Sequence, residues 1–152
     1  MSIIIEEANA RHLPEIGKME REIFPDSWSE YTLKTCILDP EILFPVARIG
    51  DKLLGYAILQ LIPPEAELQN IAVRPGARRS GIGRALLTHL IRAGRTRGVE
   101  AIHLEVRASN GAAIALYQSL GFLPVRTRPA YYESPREDAL IMTRPPKGES
   151  SP

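Results

Sequence analysis

The feature that most constrains this chain is a strand that ends in a glycine-containing turn and passes directly into a long helix. Glu67 to Val73 is β-rich, Arg74-Pro75-Gly76 breaks it, and Ile82, Leu86, Leu90 and Ala93 recur at helical spacing over Ile82 to Arg97 before Gly98. Gly81-Ile82-Gly83 at the helix start removes Cβ atoms where a ligand would approach backbone amides. First-turn N–H groups and the helix dipole favour an anion there. Arg74, Arg78, Arg79 and Arg84 crowd the same stretch, which points to a compact anionic ligand such as a phosphate. An isolated glycine pair is no more than even evidence, because a helix entry can need small residues for packing alone. Gly81-Ile82-Gly83-Arg84-Ala85-Leu86 has no third glycine of the dinucleotide fingerprint and no Gly-Lys-Ser/Thr of a P-loop.

With 152 residues there is room for one core, so a single domain is expected over residues 1–144 with a frayed tail over 145–152. No window approaches the roughly 18 apolar residues of a membrane span. The N-terminus turns acidic after Ile3-Ile4-Ile5, unlike a signal peptide, and the chain reads as a cytoplasmic protein without membrane contact. A net charge of +1 provides no global attraction to nucleic acid. Cys36 is the single cysteine, which excludes an internal disulfide and a thiolate cluster, and it reads as a small buried hydrophobe. His12, His89 and His103 lack metal-ligand spacing, so no metal is expected.

The remaining pattern is mixed. Ile3 to Glu7 reads as a first strand. Leu13, Ile16, Met19 and Ile23 mark one face of a helix over Leu13 to Ile23. A second helix follows Trp28, capped by Ser27 or Ser29 and ended by Asp39-Pro40. Phe44 to Ile49 and Leu53 to Leu61 form a hairpin about Gly50-Asp51, and Pro63-Pro64 stops it. Ala101 to Val106 alternates Ile102, Leu104 and Val106 with His103 and Glu105, which sets Glu105 on the opposite face. A helix from Asn110 to Leu120, a strand from Phe122 to Thr127, a turn-rich segment holding Tyr131 and Tyr132, and a strand from Ala139 to Thr143 complete the chain.

Arg-x-x-Gly-x-Gly between a strand and a long helix resembles the pyrophosphate-binding motif of the GNAT superfamily of N-acetyltransferases. Leu104-Glu105-Val106-Arg107-Ala108-Ser109-Asn110, Ala112 to Tyr117 and Leu120-Gly121-Phe122 are similar to its RimI-type, ribosomal-protein-alanine branch. Asn70 to Val73, Phe24-Pro25 with Trp28-Ser29, and Tyr131-Tyr132 with Arg136 to Ala139 extend the resemblance over most of residues 3–144. Asp26-Ser27 between Phe24-Pro25 and Trp28, and a short segment between Tyr132 and Arg136, depart from the branch on the acceptor side.

The resemblance implies an α/β (α+β) fold: a mostly antiparallel mixed sheet of about six to seven strands, about four helices, and central strands Glu67 to Val73 and Ala101 to Val106 splayed apart. It implies acetyl-CoA as co-substrate, held by backbone of Ile71, Ala72 and Val73, by Arg78, Arg79, Ser80, Gly81, Ile82, Gly83 and Arg84, and by Asn110. It assigns Glu105 as proton acceptor and Tyr117 as proton donor, and lines an acceptor groove with Trp28, Tyr131 and Tyr132. Read as a residue alone, Glu105 is a strand-end carboxylate or a partner of Arg107, and Tyr117 an aromatic packing residue with its hydroxyl at the surface. Glu67 is a second candidate base. His103 shares the Glu105 face and could tune it, a structural role being the more frequent outcome.

The implied acceptor is the N-terminal α-amine of a protein, alanine of a small-subunit ribosomal protein. An α-amine titrates near 8 and a lysine near 10.4, so freeing the lysine at neutral pH costs about 3 to 4 kcal/mol more. A single carboxylate base suits the α-amine. A small-molecule amine acetyltransferase and a non-catalytic CoA-binding module are the alternatives.

Overall fold

The computed structural model of the chain describes residues 2–147, so part of the expected tail, 148–152, lies outside the described residues. Among these there are eight strands and four α-helices: β1 (Ile4–Glu7), α1 (Leu13–Ile23), α2 (Glu30–Leu38), β2 (Ile42–Leu43), β3 (Pro45–Ile49), β4 (Lys52–Ile62), β5 (Glu65–Val73), α3 (Ile82–Thr96), β6 (Ala101–Arg107), α4 (Gly111–Ser119), β7 (Leu123–Tyr132) and β8 (Glu137–Arg144). The expected six to seven strands become eight because the two-residue β2 pairs with β4. No described helix is long and apolar enough to cross a membrane.

The strands form one sheet in the order β1-β3-β4-β5-β6-β8-β7, in which β5–β6 is the single parallel pair. That pair needs a crossover, and α3 supplies it. β4 sits inside the sheet and is buried on both faces, which explains its nearly unbroken apolar run from Leu53 to Leu61. Ile16 and Met19 of α1 and Leu33 and Cys36 of α2 pack with Tyr56 and Ile58 on one face. On the other, Ile82, Leu86, Leu87 and Leu90 of α3 meet Leu59, Leu104, Tyr117 and Phe122. Helices therefore cover both sides.

Two local features set the site. Pairing of β4 with β5 slips between Ile58 and Leu59, which leaves Gln69 as an extra residue, a β-bulge. A bulge reverses the alternation of faces: Leu68 joins the α3 core, whereas Ala72 joins the α1–α2 core. Second, β5 and β6 pair only from Glu65–Ala101 to Leu68–Leu104. Beyond that point the strands part, as expected, and the β6-facing edge of Gln69 to Val73 has no strand beside it.

Several boundaries differ from expectation. Ser29, not Ser27, caps α2, its Oγ accepting from the Thr32 N–H at 3.1 Å. β7 runs on to Tyr132, so Tyr131 and Tyr132 lie at a strand end and not in a turn-rich segment. Pro124 and Pro129 are tolerated because β7 is the edge strand, where a missing N–H costs no ladder bond.

Candidate active site

The turn between β5 and α3 is built to leave backbone amides free. Arg79 and Gly81 both adopt left-handed backbone, with φ of 68° and 87°. Alternation of hand turns successive N–H groups toward one concavity. No side chain caps the α3 N-terminus, so its first-turn amides face outward with the positive end of the helix dipole. A Cβ on Gly83 would meet Leu116 of α4 at 3.2 Å, so this glycine serves helix packing, whereas Gly81 is required by its φ.

The arginine cluster divides. Arg74 is turned away, donating to the Leu53 carbonyl at 2.7 Å and to Glu15 at 3.2 Å, and leaves the expected anion cluster. Arg84 reaches Ser119 Oγ at 2.8 Å, bridging α3 and α4. Arg78 bonds only the Val73 carbonyl, at 3.3 Å, and Arg79 makes no ion pair among the described residues. Both are exposed beside the turn, and the Ser80 hydroxyl donates to the Ala77 carbonyl. Asn110 caps α4, accepting from the Ala113 N–H at 3.2 Å.

Glu105 lies on β6 just past Leu104, the last residue paired with β5, on the face away from Ile102, Leu104 and Val106. Its ion-pair neighbour is Arg128 at 3.6 Å; the expected alternative, Arg107, is bound instead to Glu137 at 3.3 Å. Glu105 Oε2 is enclosed and is the one such side-chain polar atom among the described residues without a hydrogen-bond partner. Such an atom is costly unless something uses it. Interaction with the Glu105 carboxylate, followed by burial, raises the pKa of the Tyr131 phenol. Tyr132 is pushed up to about 12, chiefly by burial and then by the Glu105 charge. Arg128 lies over the Tyr131 ring at 4.8 Å and Arg107 over Tyr132 at 4.4 Å.

Tyr117 of α4 is 5% exposed, so it is not the surface hydroxyl that its residue type alone suggests. Its ring packs on Phe122 at 5.7 Å, and burial, with a smaller contribution from Tyr132, raises its pKa well above the ordinary phenol value. Tyr132 thus senses Glu105 on one side and Tyr117 on the other. Glu105 faces the α1–α2 side of the sheet and Tyr117 the α3–α4 core, and the parting of β5 and β6 connects the two sides.

The other expected candidates separate. Glu67 is exposed on β5 and near enough to influence Tyr131. His103 is engaged at both ring nitrogens, by Glu65 and by Thr143, so its role is to join β5, β6 and β8. Trp28 is half-buried against the α1–α2 core, with its N–H donated to Glu20. A shallow groove of about 670 Å³ along α3, lined by Ile5, Thr88, His89 and Arg92 among others, shares Gly81 and Arg84 with the turn and lies apart from Glu105.

Residue-by-residue reading missed Arg128, Glu137 and Glu20. Arg128 fell beyond the expected strand end at Thr127. Glu137 accepts from the Ser109 N–H at 2.6 Å and from Arg107, which ties the loop before α4 to β8 and holds the Glu137 carboxyl below its usual pKa. Glu20 occupied a position of α1 whose spacing from Ile16 marks the apolar face, the one signal that could have revealed it.

The profile of the Acetyltransferase (GNAT) family matches residues 10–122. The [Ribosomal protein bS18]-alanine N-acetyltransferase of Escherichia coli K12 is 45% identical over 135 residues, 88% of this chain and 90% of that protein. The protein of the same name from Salmonella typhimurium is 53% identical over the same shares of both chains. Among solved structures, the ribosomal-protein-S18-alanine N-acetyltransferase from Escherichia coli superposes with a TM-score of 0.86 at 41% identity, covering 97% of each chain. The parted strands, the uncapped turn and these similarities agree: the chain belongs to the acetyltransferase (GNAT) family.

Proposed function

We propose that this chain transfers acetyl from acetyl-CoA to the α-amine of an alanine-initiated protein, ribosomal protein bS18 being the acceptor that its relatives' names carry. One observation supports it above the others: an enclosed carboxylate oxygen without a hydrogen-bond partner, Glu105 Oε2, stands where β5 and β6 part.

The residues fit acetyl-CoA. The outward amides of the turn, with Arg78 and Arg79 beside them, suit a pyrophosphate, and the open edge of Ile71, Ala72 and Val73 offers backbone groups to a pantetheine amide chain. Ser80, Gly81, Ile82, Gly83, Arg84 and Asn110 border that path. Acetyl-CoA supplies the thioester carbonyl and the thiolate leaving group. Glu105 takes a proton from the acceptor ammonium, freeing the lone pair that forms the new C–N bond. Tyr117 keeps its proton at neutral pH, because burial raises its pKa, and gives it to the departing sulfur as the C–S bond breaks, while the second proton leaves the nitrogen as the amide forms and restores the phenol through solvent. Tyr131 and Tyr132 on one side and Trp28 on the other border the acceptor. No side chain has to carry the acetyl group, so attack is direct.

The test is acetylation of a peptide with an N-terminal alanine, followed by mass spectrometry, against the same peptide blocked at its α-amine and against spermidine. Acetylation confined to the free α-amine is expected. Turnover of spermidine with none on any peptide N-terminus would sink the reading.

A further inference from the structure

Glu20 is 1% exposed and is the one fully buried charged residue among the described residues. It sits one turn beyond Ile16 on the apolar face of α1, where an aliphatic side chain would close the core without the cost of desolvating a carboxylate. Both oxygens are used. Oε1 accepts from the Tyr56 hydroxyl of β4 and from Asn70 Nδ2 of β5 at 2.8 Å. Oε2 accepts from the Trp28 N–H at 2.9 Å. Asn70 follows the Gln69 bulge that turns it to this face, and Ile71, the first of the three open-edge residues assigned to the pantetheine chain, comes next. Trp28 lies in the stretch between α1 and α2 that contains no regular structure.

We infer that Glu20 is a positioning residue that locks the Trp28 segment to the bulged strand β5, so that the acceptor border and the acetyl-CoA border are held at one spacing. A backbone N–H outside helix or sheet has few other partners, and a charge-assisted bond to a carboxylate fixed at its other oxygen is a firm anchor. The inference rests on the reading that the acceptor lies between Trp28 and Tyr131–Tyr132.

Glu20→Gln isolates the link. Its single oxygen best serves the two donors at Tyr56 and Asn70, which leaves an amide N–H facing the Trp28 N–H, donor against donor. Losing a bond to a charged group at this place predicts a rise of about tenfold in KM for an alanine-initiated peptide, with kcat and the acetyl-CoA KM within about twofold. Trp28 is the single tryptophan, so acrylamide quenching of its fluorescence reports the loosening directly and should increase in the variant. Trp28→Ala is the companion. If it raises the peptide KM and Glu20→Gln does not, the inference fails and the acceptor reading stands; if neither moves the peptide KM, both fail. An equal rise in both KM values would make Glu20 a general support of the fold and overturn the inference. Should Glu20→Gln not fold, amide exchange in the wild-type protein decides: protection of the Trp28 N–H comparable with β4 amides upholds the link, and exchange as fast as in the neighbouring residues overturns it.

Discussion

The proposed reaction asks opposite things of Glu105 on β6 and Tyr117 on α4, and their surroundings differ accordingly. As the proposed base Glu105 has to receive a proton, and its enclosed Oε2 has no hydrogen-bond partner among the described residues, while Oε1 lies 3.6 Å from Arg128. As the proposed donor Tyr117 has to hold its proton until sulfur departs, and burial raises its pKa in that direction. Glu105→Gln keeps the shape and removes the proposed base, so kcat should fall by about 10² to 10⁴, with the acetyl-CoA KM little changed, in steady-state assays. Tyr117→Phe removes an oxygen that bonds nothing among the described residues, so neutral-pH stability should stay within about 0.5 kcal/mol by urea unfolding while kcat drops at least tenfold. A variant as active as the wild type would remove Tyr117 from the reaction. Both residues were singled out in the sequence through a motif, but their environments were not legible there. Tyr117 burial depends on Phe122 and the α3 core, and the Glu105 partner comes from β7, partners that local spacing does not reveal.

Among elements, the β4–β5–α3 contact supports the turn and strand proposed to hold acetyl-CoA. Gly55 of β4 permits it: a Cβ there would lie 2.7 Å from the Ala72 carbonyl oxygen and 2.9 Å from Ile82 Cγ2. Backbone cannot yield as a flexible side chain does, so Gly55→Ala should destabilise by about 1 to 3 kcal/mol and, by shifting β5, raise the acetyl-CoA KM. Gly81→Ala acts differently. Nothing crowds the new methyl, but φ of 87° strains it by about 1 to 3 kcal/mol, and relief of that strain would rotate the turn amides. Isothermal titration with CoA separates them from a bystander role: binding unchanged in Gly81→Ala would refute the amide cradle. The strand–turn–helix unit and α1 could be read from periodicity because their faces alternate cleanly. The Gln69 bulge could not, since one unpaired residue leaves no mark in composition. The end of β7 was hidden by Pro124 and Pro129, which only its edge position makes harmless.

For the molecule as a whole, the tyrosines give stability a specific dependence on alkaline pH. Tyr56 is fully buried, and burial, then its bond to Glu20 and that residue's charge, raise its pKa far above the ordinary phenol value; Tyr117 is raised mainly by burial. Tyr132 stands at about 12. In the unfolded chain each phenol ionises near pH 10. Below that pH both states hold the proton and stability is unaffected. Above it the unfolded chain releases protons that the folded one keeps, so stability falls as pH rises, by about 1.4 kcal/mol per pH unit for each buried tyrosine until its folded pKa is reached. Tyr56 and Tyr117 lie in the two cores on opposite faces of the sheet, so their contributions add. Urea unfolding at pH 9, 10 and 11 should show a flat response up to about 10 and a steep loss beyond it. Tyr117→Phe should reduce that slope by one proton while leaving the pH 7 value near that of the wild type. An unchanged slope in this variant would mean that Tyr117 ionises in the folded protein as readily as in water, and a phenol that does so is not held as the proton donor proposed for it.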